Sequence, residues 1–243
     1  MARVYDRIGI NYAELRKPDA RIKARIGESL GAAGTVLNVG AGAGSYEPVD
    51  RQVTALEPSA GMIRQRSASA APVVQGRAED LPFGDGAFDA AMAVLTVHHW
   101  ADQERGLKEM RRVTRGRVVL LTYDPAFRGF WLADYFPALV TLDEAQMPRL
   151  TDYEASLGPV EISAVPIPHD CTDGFLCAYW RRPAAYLDPK VRAAMSSFWA
   201  LDNLSEGLSQ LASDLDSGAW AQRHSELLDL DACDLGYRLV ATR

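Results

Sequence analysis

The sequence predicts an α/β fold in which a mostly parallel sheet carries helices on both faces. Apolar segments of strand length alternate with amphipathic segments through the first half of the 243 residues, as in sheets built from strand–helix–strand units. A glycine-rich turn follows the first apolar segment. A nearly uncharged run at 88–97 has the character of a central strand covered on both faces.

The elements follow one another in a regular order. Residues 1–34 are predicted to be helical, with Ile22, Ile26 and Leu30 on one face, and the pattern ends at Gly31 and Gly34. Further helices are predicted to begin at residues 58–59 and to span 104–113. Seven strands are predicted, at 35–39, 52–56, 72–75, 88–97, 117–123, 160–165 and 237–241.

Composition limits the classes of partner. The formal net charge is -6, which argues against nucleic acid, because phosphate binding needs clustered Lys and Arg. No apolar run approaches the roughly 18 residues of a membrane span, and the first 15 residues lack a signal-peptide pattern. The three cysteines and four histidines show no metal-ligand spacing. We therefore predict a cytoplasmic protein without metal, either monomer or homodimer.

Two motifs carry the chemistry. Gly40, Gly42 and Gly44 alternate directly after an apolar strand, where glycine allows a tight turn and close approach of a ligand. Glu57 ends the second strand, and a carboxylate at that place can accept hydrogen bonds from both hydroxyls of a ribose. The alternative for Glu57 is an exposed residue that caps the next helix.

In these motifs the chain resembles the class I S-adenosylmethionine-dependent methyltransferases. It is similar to the group that includes the ubiquinone and menaquinone C-methyltransferases, the methyltransferase type 11 domain. The resemblance covers roughly residues 5–124 and rests on four segments in order, at 38–44, 78–83, 88–90 and 97–102. It implies a Rossmann-like seven-stranded fold and S-adenosylmethionine as cofactor. The implied cofactor-binding residues are Tyr12, Asn38, Gly40, Ala41, Gly42, Gly44, Glu57, Pro58, Ala78, Glu79 and Leu95.

Two residues depart from the family pattern. Asn38 stands where the family usually has Asp, so the negative charge is lost at this place. Arg77 stands where the family often has an Asp that accepts from the adenine amino group, which Arg cannot do. The expectation is that backbone groups of Ala78, apolar contact from Leu56 and stacking by Arg77 hold the adenine.

Methyl transfer makes few demands on the protein beyond alignment and exclusion of water. A proton must also leave the acceptor, and His98 and His99 follow the strand near which the methyl group should emerge. The alternative is that they only shape the turn before a helix capped by Asp102. Tyr12 is expected at the methionine end of the cofactor and Arg16 at its carboxylate.

The second half of the chain is predicted to form a cap over the sheet. All five tryptophans lie at or beyond position 100, and residues 174–232 are too long for an ordinary crossover. We predict a cofactor-binding Rossmann-like core at 1–125, a cap segment at 126–158, the sixth strand and its loop at 159–173, a helical cap insertion at 174–232 and the last core strand at 233–243.

The cap suggests a small, partly apolar methyl acceptor. Its candidate binding residues are Trp131, Tyr135, His169, Tyr179 and Trp180, although clustered aromatic residues are often plain core. Two other functions stay open. The domain can serve as a non-catalytic S-adenosylmethionine sensor or assembly subunit. An NAD-dependent oxidoreductase is disfavoured, because Ser45 stands where its fingerprint needs the third glycine.

Overall fold

A computed structural model, which describes residues 15–243, confirms the α/β fold with a seven-stranded sheet. In chain order the strands are β1 Thr35–Val39, β2 Gln52–Glu57, β3 Val73–Gln75, β4 Phe88–Val94, β5 Thr114–Tyr123, β6 Val160–Ala164, β7 Ile167–Pro168, β8 Ala232–Cys233 and β9 Tyr237–Thr242. The main sheet has the order β3-β2-β1-β4-β5-β9-β6, and β7 pairs with β8 in a separate small sheet.

The direction of the strands creates a crevice at one edge of the sheet. β1 is parallel to both β2 and β4, and in the seven-stranded sheet only β9 runs antiparallel to its neighbours, β5 and β6. The chain moves outward from β1 to β3 and then returns to β4 on the other side of β1. Ligands of open α/β sheets bind at the carboxyl ends of the strands where the strand order reverses in this way.

The helices of the first half begin at capping side chains. These helices are α1 Ala20–Ser29, α2 Ala60–Arg64 and α3 Gln103–Val113. Asp19, Ser59 and Asp102 each accept a hydrogen bond from a backbone N–H of the first turn. Helix α1, Ala20–Ser29, is therefore shorter than the helical segment predicted over 15–34 of the described residues. The long run predicted at 88–97 ends as a strand at Val94 and continues as a 3-10 helix, Val97–His99.

Short helices dominate the second half. They are α4 Leu132–Tyr135, α5 Ala138–Gln146, α6 Leu150–Leu157, α7 Pro189–Arg192, α8 Ser196–Trp199, α9 Ser205–Asp216 and α10 Ala219–Arg223. Three 3-10 helices, Leu176–Tyr179, Pro183–Leu187 and Ser225–Leu227, lie among them. Helix α6 falls in the range predicted as cap, but its Tyr153 and Leu157 pack with the α3 side of the sheet.

Alternate residues of the central strands are buried on opposite faces of the sheet. Val36 and Val119 pack with α1 and with the aromatic residues of the second half. Leu37 and Val118 pack with α3 and α6 on the other face. Burial on both faces explains why the central strands are apolar without alternation. No helix within residues 15–243 is long and apolar enough to cross a membrane.

Candidate functional site

A cavity of about 190 Å³ opens at the carboxyl ends of β1, β2 and β4. Its walls come from the segments that directly follow these strands, and nine of the eleven predicted cofactor-binding residues line it. These nine are Asn38, Gly40, Ala41, Gly42, Glu57, Pro58, Ala78, Glu79 and Leu95. The exceptions are Tyr12, which lies outside the described residues, and Gly44.

The glycine loop after β1 folds tightly over the end of β2. The N–H groups of Gly40 and Ala41 both donate to the carbonyl oxygen of Leu56, at 2.9 and 3.0 Å. Gly40 and Gly42 have φ values of +69° and +53°, in the left-handed region. A Cβ atom at Gly40 would overlap the side chain of Thr96, so the segment that follows β4 can approach the loop only at a glycine.

Gly44 does not line the cavity, contrary to the prediction for this residue. Its φ of +97° favours glycine. A Cβ atom added there would come within 3.3 Å of the side chains of Arg66 and Glu47. The third glycine therefore serves the conformation of the loop, and the spacing of the motif did not distinguish this role from ligand contact.

A buried polar network of Asn38, Glu47 and Arg66 supports the glycine loop. Asn38 donates from Nδ2 to Glu47 Oε1 at 3.2 Å, and Arg66 forms an ion pair with the same carboxylate at 2.7 Å. Arg66 also donates to the carbonyl oxygens of Gly42 and Ala71, at 3.2 and 2.9 Å. The acidic charge lost at Asn38 is thus present in the same network, on Glu47.

Glu57 joins the glycine loop to the start of α2. Its Oε2 accepts from the N–H of Gly42 at 2.8 Å, and its Oε1 accepts from the N–H of Ser59 at 2.9 Å. The residue is only 6% exposed and lines the cavity. Carboxylate oxygens can each accept more than one hydrogen bond, so Glu57 can both hold the loop and bind hydroxyl groups. The alternative of an exposed helix cap is wrong, because Glu57 is buried and Ser59 caps α2.

The wall beyond β3 consists of residues 77–79 and 100–101. Arg77 is exposed and pairs through its backbone with Asp80. Glu79 accepts through Oε1 from the N–H groups of Ala101 and Asp102, at 2.7 and 3.2 Å. Its carboxylate therefore fixes the segment before α3 in addition to facing the cavity.

Trp100 is a cavity residue that sequence reasoning missed. It packs against α3 where that helix has Gly106. A Cβ atom at Gly106 would lie 2.5 Å from Cε3 of the indole ring and 3.2 Å from Cβ of Ala78. The only signal in the sequence was a tryptophan within the histidine turn, followed by a glycine inside an amphipathic helix.

Leu95 occupies an unusual backbone conformation at the end of β4. Its φ is +51°, a value that side chains larger than glycine rarely adopt. Its N–H donates to the carbonyl oxygen of Leu121 at 2.9 Å, which continues the pairing of β4 with β5. Such conformations cluster at functional sites, because the surrounding structure has to hold them.

A second cavity, of about 60 Å³, adjoins the first on the side of the second half of the chain. The two cavities share Arg16, Leu95 and His99 in their linings. The rest of the second lining is mainly apolar or aromatic, and its residues include His98, Tyr123, Asp143, Met147, Phe175, Leu176, Met195 and Tyr237. This second cavity, where the methyl acceptor is expected, is called the acceptor cavity.

The two predicted catalytic histidines lie at the junction of the cavities. The ring centroids of His98 and His99 are 3.8 Å apart. Burial is the main reason that the pKa of His98 lies well below its usual range, and burial together with Arg16 lowers the pKa of His99 to about 4. Both rings are therefore neutral near pH 7. Within residues 15–243, no group of His, Cys, Asp and Glu side chains is arranged to hold a metal ion.

Arg16 stands in the wall between the two cavities. Its Nε forms an ion pair with Asp173 at 2.6 Å, and the Tyr46 hydroxyl donates to the same carboxylate at 2.9 Å. This arrangement ties the segment before α1 to the segment after β7. The position is compatible with the predicted contact of Arg16 to the carboxylate of methionine.

Three of the predicted acceptor residues lie in the core instead. Trp131, Tyr135 and Trp180 are buried and line neither cavity. Trp131 donates from Nε1 to the carbonyl oxygen of Trp180 at 2.8 Å, and the Tyr135 hydroxyl donates to Asp214 at 2.6 Å. Their polar atoms are satisfied inside the core, which corrects their assignment to acceptor binding.

The other two predicted acceptor residues also lie outside both cavities. The Tyr179 ring packs under the guanidinium of Arg182, with 4.6 Å between the guanidinium carbon and the ring centroid. His169 lies next to Asp231, with Nδ1 3.1 Å from that carbonyl oxygen. The short pairing of β7 with β8 holds His169 there, away from the cleft that the sequence suggested.

Known proteins are similar to this chain in the region of the first cavity, where the cofactor is expected and which is called the cofactor cavity. The family described as a methyltransferase domain matches residues 37–122. The 2-methyl-6-phytyl-1,4-hydroquinone methyltransferase 1 of rice is 32% identical over 111 residues, which cover 42% of this chain and 34% of the rice protein. The demethylmenaquinone methyltransferase of Mycolicibacterium vanbaalenii is 38% identical over 96 residues, 38% of this chain and 40% of that protein. The match thus spans less than half of these relatives.

Nearly the whole chain matches a solved structure at 33% identity. That structure is of a protein of Anabaena variabilis that is assigned as a methyltransferase of an antibiotic biosynthesis pathway. The two proteins are 33% identical with a TM-score of 0.88, and the match covers 95% of this chain and 100% of that one. The chain therefore belongs to the family of S-adenosylmethionine-dependent methyltransferases.

Proposed function

We propose that this protein transfers a methyl group from S-adenosylmethionine to an oxygen, nitrogen or carbon atom of a small, partly apolar molecule. The observation that carries the proposal is the junction of two cavities at the carboxyl edge of the sheet. One is built from the glycine loop and Glu57, the other is mainly apolar, and Arg16, Leu95 and His99 belong to both. A donor in the first cavity would present its methyl group to an acceptor in the second.

The residues of the first cavity fit the cofactor. Glu57 accepts hydrogen bonds from the ribose hydroxyls. The flat ring of Trp100 and the small side chain of Ala78 provide a surface for adenine. The loop from Gly40 to Gly42 lets the methionine part approach the backbone. Asn38, Ala41, Pro58 and Glu79 complete the cofactor side of the cavity.

The chain has to align two molecules and exclude water between them. Bound S-adenosylmethionine supplies an electrophilic methyl group on a positively charged sulfur atom. Leu95, held at the junction by its backbone conformation, fixes the direction of approach. His98 and His99, whose rings are neutral near pH 7, act as hydrogen-bonding groups that orient the acceptor.

Binding calorimetry with the Glu57→Gln variant tests the proposal at the cofactor cavity. The protein should bind S-adenosylmethionine and S-adenosylhomocysteine and not NADH. Glu57→Gln should weaken binding of both by about tenfold or more, because a hydrogen bond to a charged group contributes about 1.5–3 kcal/mol. Glu104→Gln, which changes an exposed glutamate of α3, is the matched control.

Two results would contradict this assignment. Unchanged affinity in Glu57→Gln would remove Glu57 from the ribose site. Failure of both adenosyl ligands to bind the unchanged protein would exclude methyl transfer altogether. Binding without turnover against any acceptor would instead favour the sensor function.

A cytoplasmic location, the absence of nucleic-acid partners, and a monomeric or homodimeric state stay part of the same proposal.

A further inference from the structure

Asp143 is a largely buried acid that lines the acceptor cavity and also a neighbouring cavity of about 40 Å³. It lies in α5 and is 9% exposed. Within residues 15–243, no hydrogen bond to its side chain is present. Among the described residues, the positive charge that acts on it is Arg128, which forms an ion pair with Glu144. Burial raises the pKa of Asp143 to about 7.

The other buried acids of the described chain differ from Asp143 in this respect. Each of them accepts hydrogen bonds from side chains or backbone N–H groups. These acids are Asp19, Glu47, Glu57, Asp173 and Asp214. A buried carboxylate without a partner is costly, and such groups in native proteins usually have a functional reason. Asp143 is the exception among these acids, and it lines the cavity in which the proposed function places the acceptor.

The surroundings of Asp143 define what it can recognise. Apolar contact is available from Leu95, Met147 and Phe175, and the cavity volume of about 60 Å³ holds only a few water molecules. An ionised carboxylate accepts hydrogen bonds and donates none. A ligand that fits both properties has a small apolar body and one O–H or N–H group.

We propose that Asp143 binds the methyl acceptor through an O–H or N–H group and takes the proton from that group during transfer. This inference rests on the proposed function and names the chemical class of its substrate, an alcohol, phenol or amine on a small apolar body. Asp143 is then a catalytic residue at a position that carries no motif of the family.

The transfer step balances without a further reagent. The acceptor oxygen or nitrogen forms a bond to the methyl carbon, while the carbon–sulfur bond breaks and its electron pair stays on sulfur. The proton of the acceptor moves to the Asp143 carboxylate, which releases it to water after the product leaves. The pKa of His99, lowered to about 4, makes that ring a weaker base than Asp143.

Fluorine NMR with three fragments tests the inference without any need for turnover. The probes are 4-fluorophenol, 4-fluorobenzylamine and fluorobenzene, each titrated into the full chain saturated with S-adenosylhomocysteine. The phenol, the amine or both should bind about tenfold or more tightly than fluorobenzene, because only they donate a hydrogen bond to a charged group. Which of the two binds tells a hydroxyl acceptor from an amine acceptor.

Variants of Asp143 identify the group responsible. Asp143→Leu should bind all three fragments with similar affinity. Asp143→Asn keeps the shape and one accepting oxygen, so it should lose the preference for the charged amine and retain part of that for the phenol; it decides the matter alone if Asp143→Leu does not fold. Asp134→Leu, which changes an exposed acid of α4, should behave like the unchanged protein.

The outcomes separate this inference from the proposed function. If S-adenosylhomocysteine binds but the fragments show no preference, or none of them binds, Asp143 has no role in acceptor recognition. The same conclusion follows if Asp143→Leu keeps the preference. If S-adenosylhomocysteine itself does not bind, the proposed function fails first.

Discussion

At the scale of single residues, the surroundings of Asn38 explain why it stands where the family usually has Asp. An aspartate at this place would bring a second carboxylate to Glu47, which lies 3.2 Å from the amide nitrogen of Asn38. Asn38 is 2% exposed, so water cannot screen the two charges. An amide donates to Glu47 and avoids the repulsion. The choice of Asn therefore follows from Glu47, nine residues later in the chain.

The substitution Asn38→Asp should lower the free energy of unfolding by about 3 kcal/mol, the typical cost of an uncompensated buried charge. Denaturant unfolding of both proteins at neutral pH measures the difference. Asn203→Asp is the control, because Asn203 Oδ1 accepts from the Ser205 hydroxyl and an aspartate keeps that acceptor. Equal stability of Asn38→Asp and the unchanged chain would mean that the network rearranges, for instance around Arg66.

At the scale of elements, α3 shows how a helix shapes the cofactor cavity. Its apolar face, with Leu107 and Met110, packs on the sheet in the usual way. Gly106, within the first turns, leaves room for the Trp100 ring. An alanine would be the better helix former there, so the glycine is explained by the contact with the ring and not by the helix.

Matched glycine substitutions in two helices separate these effects. Gly27→Ala in α1 should raise stability by about 0.5–1 kcal/mol, because the added Cβ atom meets nothing within 4 Å. Gly106→Ala should lower stability by about 1–3 kcal/mol, because the Cβ atom overlaps the indole ring. It should also weaken S-adenosylhomocysteine binding, since Trp100 lines the cavity. Parallel gains in both variants, by thermal unfolding, would contradict the packing of Trp100 on α3.

At the scale of the whole molecule, buried titratable groups set how stability depends on pH. The folded pKa values of His98, His99 and His224 are lowered by burial. The unfolded chain takes up protons on them near pH 6.5, which the folded chain resists, so stability is lost as the pH falls below about 6.5. Asp143 acts in the opposite direction. Its raised folded pKa means that the folded chain takes up the proton first, so stability is gained as the pH falls from about 7.

The variant Asp143→Asn removes the opposing contribution. We expect it to have a higher Tm than the unchanged protein at about pH 7.5, and a larger fall in Tm between about pH 7.5 and 5. Thermal unfolding followed by circular dichroism at several pH values measures both. Asp202→Asn, which changes an exposed acid, should run parallel to the unchanged protein. Parallel curves for Asp143→Asn would show that this carboxyl is ionised and solvated in the folded state.

Much of the fold and of the cofactor cavity followed from the order of residues along the chain. Strand patterns and the glycine loop are local features, and Glu57 is placed by the end of its own strand. For that reason the predicted sheet is confirmed, and most predicted cofactor residues line one cavity. The acceptor side depended on distant contacts. Trp131 and Trp180 looked like pocket residues, but their indole nitrogens bond to backbone carbonyls in the core.

The sequence by itself determined the class of fold and most of the residues that line the cofactor cavity, because hydrophobic periodicity and glycine conformation act over a few residues. Only the tertiary structure decided which side chains line the acceptor cavity. The sequence pattern assigned no role to Asp143, which lines the acceptor cavity together with Tyr123 and Leu176, residues distant from it in the chain. Burial of a side chain depends on all the elements that pack around it, and these elements are distant from one another in the sequence. A short segment of sequence therefore does not predict burial.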